Sequence, residues 1–152
     1  MKNLLLVCSL YQAALAAADA VCATACQTAL SSTEFSGISL AEDYYSAICR
    51  NILQVKSTFI CMRSYCSADE ILEGWESLDQ SCEGDGGVNI LPWSIVDDVT
   101  EAEVSSWPIL TYEDRQAGTS FNTSASVDQT LFDFAYTTMA SHNIIPSCLY
   151  CG

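Results

Sequence analysis

The chain has 152 residues, with 19 acidic and 5 basic side chains and a formal net charge of −14. A field of that sign repels nucleic acid and anionic lipid, so the composition excludes a nucleic-acid-binding protein. The length fits one small domain.

Residues 1–20 have the pattern of a secretory signal peptide. Lys2 precedes an apolar stretch over residues 4–18, and small residues provide cleavage sites after Ala18 or Ala20. Polar residues interrupt this stretch, and later apolar stretches are shorter than the roughly 20 residues that a bilayer requires. A retained membrane anchor is therefore the weaker alternative, and the sequence predicts an exported protein.

Cysteine usage agrees with export. Of nine cysteines, Cys8 leaves with the signal peptide, and an even number in an exported chain predicts disulfide bonds. A zinc site is disfavoured, because the single Cys-x-x-Cys pair stands at the very end of the chain. Spacing alone leaves the connectivity open. The eight mature cysteines are Cys22, Cys26, Cys49, Cys61, Cys66, Cys82, Cys148 and Cys151.

The first part of the mature chain predicts two helices. Cys22 and Cys26 stand at i and i+4 in a short helix over 21–30, so their sulfurs share one face and each must bond to another segment. A loop over 31–40 follows. Apolar residues then recur at helical spacing over 42–62, which predicts one longer amphipathic helix.

A third helix is predicted to begin at a capping box formed by Ser67 and Glu70. The glycine cluster at 84–87 ends this helix and separates two halves of unlike composition. We expect a cysteine-rich helical domain over 21–83. Residues 84–140 are expected to form an acidic, extended and loop-rich region with short helices.

Three features are predicted within that second region. Thr100 and Glu103 form a second capping box, and a helical pattern returns over 131–139. Between them, a polar loop carries an Asn-Thr-Ser sequon at Asn122, which is an acceptor for N-glycosylation in an exported protein.

The sequence predicts no catalytic residue and no confident metal ligand. His142 is the only histidine and stands in the terminal tail, which disfavours a Ser-His-Asp or Cys-His site. Nucleotide-binding glycine motifs are absent from the sequence. The acidic cluster over 97–103 lacks EF-hand spacing and is interpreted as a solvated loop.

Six of the cysteines form a ladder with the spacing Cys-x3-Cys and then Cys-x11-Cys-x4-Cys-x15-Cys, from Cys22 to Cys82. Together with short stretches around it, this six-cysteine ladder resembles the extracellular amino-terminal domain of fungal ferric and cupric reductases of the plasma membrane. The resemblance covers about residues 21–140. The matching stretches are Cys22-Ala-Thr-Ala-Cys26, Tyr44-Tyr45, Ser57-Thr58-Phe59-Ile60-Cys61, Tyr65-Cys66, Glu70-Ile71, Gly74-Trp75, Leu91-Pro92 and Leu131-Phe132-Asp133 with Tyr136 and Thr138.

The resemblance implies a non-catalytic ectodomain, secreted or at the extracellular face of the plasma membrane. In that family, membrane helices hold two haems, and cytosolic FAD and NADPH domains pass electrons outward to chelated iron or copper. Haem, FAD and NADPH are therefore expected only in the absent part of a full-length relative. Implied partners are iron or copper chelates and other cell-surface iron-uptake proteins.

The tail over 141–152 departs from the family pattern, which implies a chain shortened before the membrane region. On this interpretation Cys148 and Cys151 belong to an accidental tail. The ladder is then the true framework, and it is expected to pair internally in three bonds.

Two alternatives remain. Fungal CFEM domains, which bind haem at the cell surface, share the opening and closing parts of the ladder, and their axial aspartate corresponds to Asp43, six residues before Cys49. This second resemblance implies direct haem capture. The other alternative is a small secreted structural or effector protein that acts on a host partner.

Overall fold

The computed structural model describes residues 21–41 and 43–144 and is mainly helical, which confirms the predicted fold class. The predicted signal peptide over 1–20, and Cys8, Cys148 and Cys151, lie outside the described residues. The helices are α1 (Val21–Leu30), α2 (Tyr44–Arg50), α3 (Ile52–Tyr65), α4 (Ala68–Gly84), α5 (Glu101–Val104), α6 (Tyr112–Ala117) and α7 (Gln129–Ile144).

Short strands accompany the helices. They are β1 (Glu34–Phe35), β2 (Ile109–Leu110), β3 (Ser120–Phe121) and β4 (Ser126–Val127). β1 pairs with β3 and β2 pairs with β4, and both pairs are parallel. The β1–β3 pair therefore ties the loop after α1 to a segment far along the chain, whereas the β2–β4 pair joins nearer segments.

Helix α1 lies at the centre of the fold. Its small side chains allow close approach, and Ala25, Cys26, Ala29 and Leu30 are fully buried. It packs most extensively against α7, and also against α3 and α4. The last described helix therefore closes over the first.

The single helix predicted over 42–62 is wrong, because Asn51 divides it into α2 and α3. Asn51 is extended at ψ 110°, and its side chain accepts a hydrogen bond of 3.0 Å from the Leu53 amide. Its own amide group donates to the carbonyl oxygens of Phe35 (3.3 Å) and Ser36 (3.2 Å). Capping and loop anchoring therefore outweigh the helical periodicity of the segment.

The capping box at Ser67 is confirmed. The Ser67 backbone N–H donates to the Glu70 carboxylate at 2.7 Å, and the Glu70 N–H donates back to the Ser67 hydroxyl oxygen at 3.4 Å. At the second predicted box only one of the two reciprocal bonds forms: the Thr100 hydroxyl oxygen accepts from the Glu103 N–H at 3.2 Å and caps the short helix α5. Both helix starts are therefore where the sequence placed them.

A capping box at Thr111 and Asp114 was missed. It starts α6, which ends at Gly118 in the left-handed conformation with φ 65°. The Thr-x-x-Asp spacing is a weaker form of the usual Thr-x-x-Glu signal. A helix therefore lies where the sequence suggested only a polar loop.

Both halves of the chain contribute to one hydrophobic core. Val96, Leu110 and Leu131 from the second half join the same buried cluster as Leu30 and Phe59 from the first. The description of residues 84–140 as an extended, loop-rich region is not confirmed, because their apolar positions turn inward and α6 and α7 are helical. Within the described residues, no helix combines the length and apolar character needed to cross a bilayer.

Candidate functional site

The six-cysteine ladder is closed into three disulfides, as expected. Two of them fix α1 at the carboxyl-terminal part of α3, and the third joins α2 to α4. Cys22 and Cys26, four positions apart on α1, are thus bonded to two cysteines that lie five positions apart at the end of α3. The bonds are Cys22–Cys66, Cys26–Cys61 and Cys49–Cys82.

The third bridge lies in a separate small cluster. Cys49 and Cys82 pack with Ile48, apart from the main core, and Tyr45 and Ile90 border them. Every cysteine in the described part of the chain is bonded, so none of these sulfurs offers a thiolate nucleophile or metal ligand.

A cleft of 350 Å³ runs beside α3, with Tyr65, Trp107 and Asp128 among its lining residues. The Tyr65 hydroxyl donates a hydrogen bond of 2.7 Å to the Val127 carbonyl oxygen. Burial, and secondarily the charges of Asp128 and Asp133, raise the pKa of Tyr65. The phenol therefore stays protonated at neutral pH and serves as a structural donor rather than as a base.

A second groove of 500 Å³ is almost entirely apolar. It lies between the start of α4 and the 3₁₀ turn at Trp93–Val96. Trp93 is held there by stacking on Phe59, with ring centroids 4.7 Å apart. Trp93 therefore anchors the 3₁₀ turn to α3. The groove is lined by Ala68, Ile71, Leu72, Trp75, Pro92, Trp93 and Ser94.

Asp43 lies outside both clefts, at the amino terminus of α2. Its carboxylate accepts a hydrogen bond of 3.0 Å from the Ser46 N–H. Hydrogen bonds from the Ser46 side chain and backbone lower the pKa of Asp43, so it is ionised at neutral pH. Its neighbour Tyr44 is 43% exposed. The geometry accounts for Asp43 as an exposed helix cap.

The acidic cluster over 97–103 is exposed, apart from the buried Val99. Arg63 lies beside it, but its guanidinium donates to backbone carbonyl oxygens, at 3.0 Å to Val96 and 2.9 Å to Val99. Among the residues that the structure describes, no group of three or more His, Cys, Asp and Glu side chains is arranged to hold a metal ion. The side chain of His142 is outside the described set.

Only part of the sequon at Asn122 lies on the surface. Asn122 and Thr123 are exposed on the bend that follows β3, whereas Ser124 has an exposed fraction of 5%. The acceptor amide is therefore accessible in the folded chain, but the residue that completes the sequon is not.

These features define a small, helical, disulfide-crosslinked domain with an acidic surface. Such a bonding pattern is typical of proteins that fold in an oxidising compartment. No protein family model, curated protein or solved structure matches the chain.

Proposed function

We propose that the chain is a non-catalytic exported domain, the ectodomain of a ferric-reductase-like protein, accessory to iron or copper reduction and uptake at the fungal cell surface. The observation that carries the proposal is spatial. The short stretches that resemble the reductase ectodomain are scattered along the sequence, yet in the fold they contact one another.

Two contacts connect stretches that lie far apart in the sequence. Cys22 of the first stretch is bonded to Cys66 of the Tyr-Cys pair. Tyr65, which precedes Cys66, stacks on Phe132 of the late stretch, with ring centroids 4.3 Å apart. Each match is weak by itself, but matches that form one packed framework support a shared fold over about residues 21–140.

A third contact joins Gly74 of α4 to α1. A Cβ built at Gly74 would overlap the Cβ of Ala23, so only glycine lets these helices lie this close. Ala23 and Gly74 both belong to the stretches that carry the resemblance. A glycine at this point is therefore a requirement of the helix packing rather than a chance match.

The surface charge supports an accessory role. At a net charge of −14, the domain attracts cations by its long-range field, and anionic chelates are repelled unless the metal is released. The domain would thus shield or present metal near the reducing centre of a membrane partner. The disulfides suit the oxidising exterior of the cell.

Gene deletion in the source fungus tests the proposal. We expect the deletion strain to reduce ferric and cupric chelates more slowly at its surface and to take up less iron under limitation. Reintroduction of the wild-type gene restores both rates, and so does the Ser77→Ala variant, which changes an exposed residue of α4. Unchanged rates in the deletion strain would overturn the proposal.

The purified domain provides a second test of the non-catalytic assignment. Protein with its three disulfides formed should not reduce ferric chelates when NADPH is supplied. Reduction by the purified chain without any added partner would show that it carries a catalytic centre of its own.

A further inference from the structure

The sequon at Asn122 is divided between surface and core. Asn122 is exposed, but Ser124 is 5% exposed and the next residue, Ala125, is fully buried. An oligosaccharyltransferase needs both the acceptor amide and the hydroxyl two residues later, since both define the sequon. The folded chain presents only the first of these groups.

Several long-range bonds hold the buried half of the sequon in place. The Ala125 N–H donates to the Ser57 hydroxyl oxygen of α3 at 2.9 Å. β4 follows directly and pairs with β2, and Val127 is 6% exposed. Further bonds run from the Ser126 N–H to the Pro108 carbonyl (3.0 Å), from the Asp128 N–H to the Leu110 carbonyl (3.0 Å) and from the Tyr65 hydroxyl to the Val127 carbonyl (2.7 Å).

Withdrawing Ser124 from the folded protein would break these bonds and expose core residues. Because buried polar groups without partners and exposed core side chains both cost free energy, the folded state keeps the segment docked. The sequon is therefore complete for an enzyme only while residues 124–127 are still undocked.

We infer that Asn122 is N-glycosylated, and that the transfer takes place before residues 124–127 dock onto α3. The inference rests on the proposed export, since the reaction belongs to the secretory route. The amide nitrogen of Asn122 attacks C1 of a lipid-diphosphate-linked oligosaccharide. A C–N bond forms, the C1–O bond to the diphosphate breaks, the amide nitrogen loses one proton, and the lipid diphosphate leaves.

The finished glycan fits the folded protein. Asn122 stands at the rim of a surface cleft of 540 Å³ formed around the β1–β3 pair. Ser36 and Ser120 on this cleft are exposed, and Phe121 is half-buried, so the cleft offers hydroxyl groups and an aromatic edge to a glycan. Docking of Ser124 after transfer therefore buries no part of the glycan.

Transfer in vitro tests the order of events and depends neither on native export nor on a role in iron uptake. Unglycosylated protein over residues 21–152 is prepared in two forms, folded with its disulfides and reduced with alkylated cysteines. Each is incubated with solubilised oligosaccharyltransferase and lipid-linked oligosaccharide, and occupancy is measured by mass spectrometry after peptide-N-glycosidase treatment. We expect severalfold more transfer to the reduced form, and none to its Asn122→Gln or Ser124→Ala variants.

A matched control separates burial of the hydroxyl residue from folding in general. In an Asn122→Gln background, Gly118→Asn creates a sequon over residues 118–120, where Ser120 is exposed. Gly118 has φ 65° and no atom within 4 Å of a built Cβ, and asparagine tolerates this conformation better than most residues. We expect the folded control to be modified far more than the folded wild-type chain.

Each remaining outcome contradicts the inference. Equal transfer to folded and reduced wild-type protein would show that docking does not gate the reaction. No transfer to either form would show that Asn122 is not an acceptor. A folded control as resistant as the wild type would show that burial of Ser124 is not the cause.

Discussion

The hydroxyl group of Tyr65 donates a hydrogen bond to the carbonyl oxygen of Val127 and so joins α3 to β4 across 62 positions of sequence. The same tyrosine ring stacks on Phe132 of α7. Tyr65 thus precedes the disulfide-bonded Cys66 in the chain and contacts the second half of the chain through its hydroxyl group and its ring. The two halves are fastened to each other through this residue as well as through the core.

Tyr65→Phe should destabilise the fold by about 1 kcal/mol near neutral pH, because the Val127 carbonyl loses its donor while the ring stacking remains. The raised pKa of Tyr65 means that its contribution is complete below the ordinary tyrosine pKa of 10.0 and is lost as the pH rises through the folded-state pKa. Urea unfolding of both proteins at about pH 8 and about pH 11 measures this. A difference between the two proteins that stays constant with pH would contradict the assignment.

Gly74→Ala should destabilise the domain by about 2 kcal/mol, because the new methyl group would meet Ala23 of α1 and would stand 3.1 Å from the Met62 methyl carbon. Ser77→Ala, one turn along α4 on the exposed side, should change stability by less than about 0.5 kcal/mol. Thermal unfolding compares the two. Adding Ala23→Gly should recover part of the loss, and full additivity in that double-mutant cycle would argue against direct contact.

Asn51→Asp should be more damaging at neutral than at acid pH. The new carboxylate would face the carbonyl oxygens of Phe35 and Ser36, which now accept from the Asn51 amide, at a cost of about 3 kcal/mol. Carbonyl oxygens around a carboxylate raise its pKa. The loss of stability should therefore become smaller in acid, because the protonated carboxyl group can again donate a hydrogen bond. Urea unfolding at about pH 7 and about pH 4 measures it, with Asn51→Ala as the control whose cost should not vary with pH.

The residues that the sequence located correctly act over short distances. The i, i+4 spacing of Cys22 and Cys26 and the box of Ser67 and Glu70 depend on neighbours within one turn, so their patterns are readable. The break at Asn51 was missed because only its cap on Leu53 is local, whereas the bonds that hold its amide group run to carbonyl oxygens about fifteen residues earlier in the chain.

The candidate site divides in the same way. The sequon at Asn122 is a local motif, but Ser124 is buried beside Ala125, whose N–H donates to Ser57 of α3, 68 positions earlier in the sequence. The partners of the disulfides and the apolar groove beside Trp93 likewise depend on the packing of distant helices. Such contacts between distant residues cannot be predicted from a local sequence pattern, so the sequence left the pairing of the cysteines open.

Limited reduction should open Cys22–Cys66 before the other two bridges. The sequence separations of 44, 35 and 33 residues differ too little to matter, since chain entropy predicts only about 0.3 kcal/mol between the extremes. Access to sulfur should therefore decide, and Cys66 is half-buried whereas the other five cysteines are buried. Alkylation and peptide mapping after a brief treatment with limiting reductant measures the order. First release of Cys49 or Cys26 would contradict it.

Two substitutions at Asp43 distinguish a role as a helix cap from a role as a haem ligand. Asp43→Asn keeps an oxygen that accepts from the Ser46 N–H, whereas Asp43→Ala removes it, so the cap role predicts a lower melting temperature for the alanine variant. Because hydrogen bonds lower the pKa of Asp43, its contribution is present above the unfolded-state pKa and is lost as the pH falls through the folded-state value. The difference in melting temperature between wild type and Asp43→Ala should therefore become smaller in acid.

Titration with ferric haem separates the two roles of Asp43. An iron ligand would make both variants lose a Soret shift that the wild type shows, whereas a helix cap predicts the same titration for all three proteins.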